Sequence, residues 1–362
     1  MLTASSPRSH AVLAPRDIAR YRGCLLGGAV GDALGAPVEF HSPEEIRKQY
    51  GPDGITDMVE AFGRIGAITD DTQMSLFTAE GMLRAGVRRK RLGHYDPVTV
   101  LHNAYMRWLY TQGERADNPD FDRVQDGWLI TVKELHAQRA PGKSVMEALK
   151  SGRVGTISNP INESKGAGGI MLAAPAGLAM LPSGPFELGR DSAAITHGDP
   201  TANLAAGCLS KIVGYLRDAW SLDRAIQETV RVLQLERNHE ETLNAIKKAQ
   251  ELAWENVEPR EALRAFGKGW VADEALGIAL YCALVADDSF ERGVLLAVNH
   301  GSDADTLGAI TGNILGTMLG DGAIPRHWLE NLELRDVITT MADDLYKGFE
   351  NTEEWAQKYP PS

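Results

Sequence analysis

The sequence predicts an all-α fold, one domain of many helices, on three observations. Segment after segment carries apolar residues three and four apart, with Ala, Leu, Glu and Arg abundant. That is the spacing of amphipathic and core helices. No alternating, β-branched run stands out. Connections are short and marked by Pro and Gly, as in Ser42-Pro43, Gly51-Pro52-Asp53-Gly54 and Pro182-Ser183-Gly184-Pro185. None is long enough to divide the chain. Of 362 residues, 43% are hydrophobic and 24% charged, enough to fill a large core.

Taken in order, residues 1–15 hold Ser, Pro and Ala without periodicity. They predict a flexible tail ahead of a domain at 16–362. Helices are predicted near 71–85, 97–110, 202–216, 223–235, 240–255, 272–285, 303–319 and 334–349. A further helix carries Gly23, Gly27, Gly31 and Gly35, and the 303–319 helix region carries Gly308, Gly312, Gly316 and Gly320. Glycine costs a helix about 1 kcal/mol against alanine at each position. Four on one ridge therefore need packing to offset them. The stripes predict two buried central helices that face each other, packed backbone to backbone near the functional site. Ridges spaced by four predict the crossing class near −50°.

Charge and cysteine narrow the function. Lys and Arg total 37 against 49 Asp and Glu, a net charge of −12. This argues against nucleic acid or an anionic membrane as partner. Cys24, Cys208 and Cys282 are scattered and odd in number. They exclude a disulfide scaffold and a cysteine-rich zinc site and fit a reducing compartment. The longest apolar runs, Gly169–Leu181 and Ala275–Ala286, fall short of the roughly 20 residues a span needs. No secretory leader is read, so a cytoplasmic protein is expected.

Five motifs can carry chemistry. Thr69-Asp70-Asp71-Thr72 opens an apolar-periodic helix. One Asp or Thr suffices as a cap, whereas two adjacent carboxylates with hydroxyls suit a hard divalent cation. Asn299-His300-Gly301-Ser302-Asp303-Ala304-Asp305-Thr306 repeats that chemistry at a second helix start. It is not a calcium loop, since Ile314 stands where the terminal glutamate belongs. Two such clusters point to one shared two-metal site. In Gly31-Asp32-Ala33-Leu34-Gly35-Ala36-Pro37-Val38-Glu39, Asp32 reads as a buried structural residue and Glu39 as a carboxylate facing a site. Asn162-Glu163-Ser164-Lys165-Gly166-Ala167-Gly168-Gly169 leads into an apolar run and suits a phosphate at a helix N-terminus. A tight turn into a buried helix fits it equally. Thr196-His197-Gly198-Asp199-Pro200 holds a histidine of structural type.

With these motifs in order, the chain resembles the ADP-ribosylglycohydrolase family, the dinitrogenase-reductase-activating glycohydrolases among them. The resemblance runs from about 21 to 319. It rests on G-D-A-L-G-x-x-x-E at 31–39, T-D-D-T at 69–72, S-K-G-x-G-G-x-M at 164–171, T-H-G-D-P at 196–200 and G-S-D-A-D-T at 301–306. It implies an all-α domain with two divalent cations, Mg²⁺ or Mn²⁺, in a central cleft. Carried over by position, Thr69, Asp70, Asp71, Asp303, Asp305 and Thr306 are the implied metal ligands. Glu39 and Asp305 are the implied catalytic carboxylates. Asn162, Ser164, Lys165, Gly166, Gly168 and Gly169 form the implied diphosphate loop, and His197 lies near the distal part of the ligand. Ser302, Leu172 and Ala167 depart from the usual residues, which bears on substrate preference and leaves every metal position intact.

The implied reaction is hydrolysis of an N-glycosidic bond, releasing ADP-ribose from an ADP-ribosylated protein, with arginine-linked ADP-ribose the expected substrate. Two alternatives stand beside it. One is a two-metal phosphoesterase, which uses the same ligand chemistry. The other is an immunity-type protein that reverses or blocks an ADP-ribosylating toxin, with residues 1–15 as the plug.

Overall fold

A computed structural model describes residues 16–255 and 257–361; the tail expected at 1–15 lies outside them. The helices are α1 (Ile18–Gly35), α2 (Pro43–Tyr50), α3 (Asp70–Leu92), α4 (Pro97–Thr111), α5 (Lys143–Lys150), α6 (Ala174–Leu178), α7 (Pro185–Ala194), α8 (Pro200–Arg217) and α9 (Leu222–Leu233). They continue as α10 (Glu240–Trp254), α11 (Pro259–Leu263), α12 (Ala272–Leu284), α13 (Phe290–Val298), α14 (Ala304–Leu319), α15 (Arg326–Asn331), α16 (Arg335–Lys347) and α17 (Glu353–Lys358). Between α2 and α3, β1 (Glu60–Ala61) pairs antiparallel with β2 (Arg64–Ile65), Glu60 opposite Ile65. The all-α reading holds, and every predicted helix is present within about two residues of its expected ends except α3, which runs on to Leu92, seven residues past the expected 85.

Local chemistry explains the boundaries. The Asp17 side chain caps α1 through the Ala19 N–H, and Ser42 with Glu45 forms a capping box on α2. Thr69 caps α3 through the Asp71 N–H. Gly93 ends α3 in the left-handed region, φ 72°. Arg89, Lys90 and Arg91 sit in that last turn, where cations oppose the helix dipole.

The two glycine helices are the centre of the molecule, as the stripes predict. From residue 23 to 35, every residue of α1 is buried. A Cβ added at Gly23, Gly27 or Gly31 would lie 2.1, 2.4 or 1.9 Å from the carbonyl oxygen of Gly316, Gly312 or Gly308. At Gly35 it would lie 2.3 Å from the Ala304 oxygen. These partners run backward as α1 runs forward, so the helices are antiparallel. Contact is equally close at both ends of the four turns. Helices crossing near −50° separate within about two turns, so the steep crossing expected from the ridges is corrected to a nearly parallel-axis one. Glycine on both helices removes the side chains that would force the axes apart. Gly28 leaves room for Asn313, whose amide donates to the Cys24 carbonyl at 2.8 Å.

Around this pair, α16, α3 and α6 pack on α1, and α13, α12 and α8 pack on α14. One hydrophobic core joins them. Within it, Glu80 accepts from Arg84 at 3.0 Å and Arg107 at 2.8 Å, all three side chains fully buried. No described helix is long and apolar enough to cross a membrane.

Candidate active site

The antiparallel pair places two helix ends together. The C-terminal end of α1 leads to Glu39, and the N-terminal end of α14 carries Asp303, Asp305 and Thr306. A Cβ on Gly35 would lie 2.4 Å from the Asp305 nitrogen, so the two ends touch through backbone. The flanking loops lock to each other. The Phe40 N–H donates to the Ser302 carbonyl at 2.8 Å, and the Ser302 N–H to the His41 carbonyl at 2.7 Å. Gly301 has φ 80°, and a Cβ there would meet the His41 oxygen at 2.5 Å; only glycine fits that approach.

Asp32 brings in the third element. Its carboxylate accepts from the Thr69 N–H at 3.0 and 3.1 Å, from the Thr72 N–H at 3.1 Å and from the Thr72 hydroxyl. It is the structural residue the sequence suggests, pinning the start of α3 to α1. Asp70 and Asp71 thereby enter the same cleft as Glu39, Asp303, Asp305 and Thr306. One carboxylate oxygen each of Glu39, Asp303 and Asp305 lies within 4.8 Å of the others. Thr69 sits just beneath, its hydroxyl accepting from Asp71 at 3.2 Å, and does not line the cleft.

The electrostatics are one-sided. Burial pushes the Glu39 carboxyl up to about 10, helped by Asp305, Asp303 and Asp70. Burial, then Asp305, raises Asp32 to about 7 and holds Asp71 and Asp303 well above the usual carboxylate range. Asp70 and Asp305 are raised by burial as well. Asp71 Oδ1 is buried without a hydrogen-bond partner. Among the described residues, no Lys or Arg pairs with any of these carboxylates. A cluster of hard oxygen donors, like-charged, buried and unpaired, fits divalent cations. Mg²⁺ and Mn²⁺ both suit carboxylate and hydroxyl ligands.

The cleft encloses about 370 Å³. Its second wall combines the 140–145 segment, the glycine loop, Met171, His197 and Trp270. The Gly142 N–H donates to Asp70 Oδ2 at 3.1 Å, and the Ser144 and Ser164 hydroxyls bond at 2.8 Å. Gly166 and Gly168 line the cleft; Gly169 lies behind, where a Cβ would meet the His197 ring at 3.1 Å. Burial lowers His197 to about 4, so it is neutral, with Nδ1 bonded to the Thr196 hydroxyl at 2.9 Å.

Three sequence readings change here. The glycine segment does not open a long helix: a 3₁₀ turn at Ala167–Gly169 is followed only by the five residues of α6. Proline at 175 and tight contact at Gly177 with α8 limit it. Lys165 turns out of the cleft to Glu241 at 2.5 Å and Asp273 at 3.3 Å. Asn162 is a brace, accepting from Ser164 and Gly198 and donating to the Thr196 carbonyl. Sequence reasoning also missed Phe40, Gly142, Ser144 and Trp270. The signal for Phe40 was its place beside Glu39; the others lie in loops without periodicity. A larger hollow, about 520 Å³ between α2, α11 and α13, is lined by Arg47, Arg260, Arg264 and Arg292 around Leu263. Its carboxylates, Glu44, Asp53 and Glu258, share the hollow with these arginines, whereas the close carboxylate cluster of Glu39, Asp303 and Asp305 lies in the smaller cleft.

Comparison with known proteins finds similarity along nearly the whole chain. A family model described as ADP-ribosylglycohydrolase matches residues 13–354. The chain is 28% identical over 330 residues to the ADP-ribosylarginine hydrolase Tri1 of Serratia proteamaculans, covering 90% of this chain and 78% of that one. It is 27% identical over 325 residues to the ADP-ribosyl-[dinitrogen reductase] glycohydrolase of Rhodospirillum rubrum, covering 87% and 91%. It is 24% identical over 377 residues to the human ADP-ribosylhydrolase ARH3, covering 94% and 96%. A solved structure of an ADP-ribosylglycohydrolase-related protein complex superposes with TM-score 0.59 at 27% identity, covering 91% of this chain and 98% of that one.

Proposed function

The chain belongs to the ADP-ribosylglycohydrolase family, and on that premise we propose that it releases ADP-ribose from arginine side chains of modified proteins in the cytoplasm. The observation that carries the reading is the convergence of Glu39, Asp303 and Asp305 within 4.8 Å, with Asp70 and Asp71 lining the same cleft. The relatives named ADP-ribosylarginine hydrolase support the linkage.

Asp70, Asp71, Asp303, Asp305 and Thr306, with Thr69 beneath them, would hold two divalent cations, Mg²⁺ or Mn²⁺. Such a pair orients sugar hydroxyls and increases the acidity of water. Beside bound cations, which favour the ionised carboxylates, Glu39 and Asp305 would position a water oxygen against the anomeric carbon of the ribose and take its proton. The water oxygen bonds to that carbon as the bond to the guanidino nitrogen breaks. The bonding pair leaves with the nitrogen, which gains a proton, giving an unmodified arginine and ADP-ribose. The Gly168 N–H and the Ser164 hydroxyl face the diphosphate, while the Gly166 and Ala167 N–H groups are bonded to the Ser164 hydroxyl and the Trp270 carbonyl. His197 lines the distal end as a neutral hydrogen-bonding group.

The test is product analysis with peptides carrying arginine-linked ADP-ribose. Free ADP-ribose, lost on chelation and restored by Mg²⁺ or Mn²⁺, supports the reading. Released phosphate or AMP in its place would favour a phosphoesterase.

A further inference from the structure

We propose that Phe40 and Trp270 form the subsite for the departing side chain and select a planar, delocalised cation, the guanidinium of arginine. The inference rests on the hydrolase reading above and adds the part of the site that reads the linkage.

Both rings line the cleft that holds the carboxylate cluster. They stack on each other, centroids 5.3 Å apart and planes 19° from parallel. Each is rooted in a different wall. Phe40 follows Glu39, and its N–H is tied to Ser302. The Trp270 carbonyl accepts from the Ala167 N–H at 3.0 Å, in the glycine turn. The aromatic pair thus bridges the metal wall and the ligand-binding wall.

Phe40 is held in an unfavourable way. Its φ is 68°, a region that a bulky residue rarely adopts. The residue is 69% exposed, so burial does not compensate. Strain of this kind persists where a site uses the geometry. Among the described residues, no Lys or Arg lies over either ring, although nine such cation–ring contacts occur elsewhere. The ring faces turned away from the stack are left free for a cation from outside.

The chemistry of the leaving group follows. An aromatic face attracts a cation, and a guanidinium, flat and weakly hydrated, stacks on it better than a compact ammonium. A serine-linked ADP-ribose offers only a neutral ether oxygen and gains nothing from the ring faces. The pair therefore favours arginine linkages through binding.

The experiment compares the full-length protein with Phe40→Leu, Trp270→Leu and Trp270→Phe on one peptide ADP-ribosylated at arginine and on its serine-linked counterpart. Affinity for ADP-ribose itself, by calorimetry, is the control for folding and for the rest of the cleft. The wild type should prefer the arginine linkage. The two leucine variants should raise KM for it about tenfold, the size of one partly desolvated cation–π contact, with kcat and ADP-ribose affinity kept. Trp270→Phe should restore most of the loss. Unaltered KM in both leucine variants, or an equal loss of ADP-ribose affinity, overturns the inference alone. A wild type that prefers the serine linkage overturns it too. Release from neither peptide overturns the hydrolase reading and the inference with it.

Discussion

Alanine at Gly31 should destabilise the protein, although helix propensity alone predicts the reverse. Gly31 lies mid-helix in α1, where alanine would gain about 1 kcal/mol of intrinsic preference. Its Cβ would stand 1.9 Å from the Gly308 oxygen, 2.3 Å from the Gly308 carbonyl carbon and 3.0 Å from the Ala309 nitrogen. All three are backbone atoms, so no rotamer relieves the clash. Ordinary contact begins near 3.4 Å, and the helices must part by roughly 1 to 1.5 Å to reach it. A gap of about 0.5–1 Å already forfeits a quarter to a half of each dispersion contact it opens. Overpacking of this kind costs about 3 kcal/mol or more, outweighing the propensity gain. Gly86 is the matched control, mid-helix in α3, with only a Leu181 methyl at 3.7 Å from its added Cβ. Gly86→Ala should stabilise by about 0.5–1 kcal/mol. Urea unfolding at fixed pH measures both. A Gly31→Ala protein as stable as the wild type, with its metal affinity intact, would refute the account of the central pair.

Three further outcomes are expected. Gly168→Val should weaken ADP-ribose binding and leave metal content unchanged, because its Cβ would already sit 3.3 Å from His197 Cε1 and 3.5 Å from Val145; equal affinity in titration calorimetry would contradict the loop assignment. Burial lowers His102 from 6.5 to about 4, a depressed folded-state value. Its stability contribution is therefore complete above pH 6.5 and is lost as pH falls toward 4, with a slope of up to about 1.4 kcal/mol per pH unit. His102→Gln should flatten that acid limb in urea midpoints, and an unchanged slope would count against it. Glu80→Ala leaves the buried Arg107 guanidinium without a carboxylate and Arg84 with Asp126 alone, and should cost about 3–5 kcal/mol, read as a lowered urea midpoint.

Much of this was legible in the residues, for physical reasons. The helices announce themselves because their apolar periods and caps are local, as at Thr69 and Asp199. The central pair was legible because eight glycines at spacing four have no local excuse. The two Asp/Thr clusters pointed to one site, since each has a carboxylate in excess of what a cap needs. The crossing geometry was not legible, because it depends on the partner also lacking side chains at every contact. Lys165 looked like a ligand residue by its neighbours in sequence, but Glu241 and Asp273 lie 76 and 108 positions away and only folding brings them to it. Phe40 and Trp270 stand 230 positions apart, and nothing local marks their contact. Gly142 and Ser144 reach the cleft through a loop without period, for which spacing carries no information.

The proposed site has the carboxylates at the starts of α3 and α14 holding two cations in one cleft. Anomalous diffraction from crystals grown with Mn²⁺ tests it most directly. The account predicts two peaks roughly 3.5–4 Å apart, bounded by Asp70, Asp71, Asp303 and Asp305, and both lost in Asp303→Asn/Asp305→Asn. An empty cleft in Mn²⁺-saturated crystals, or peaks held only by carboxylates elsewhere on the surface, would contradict it.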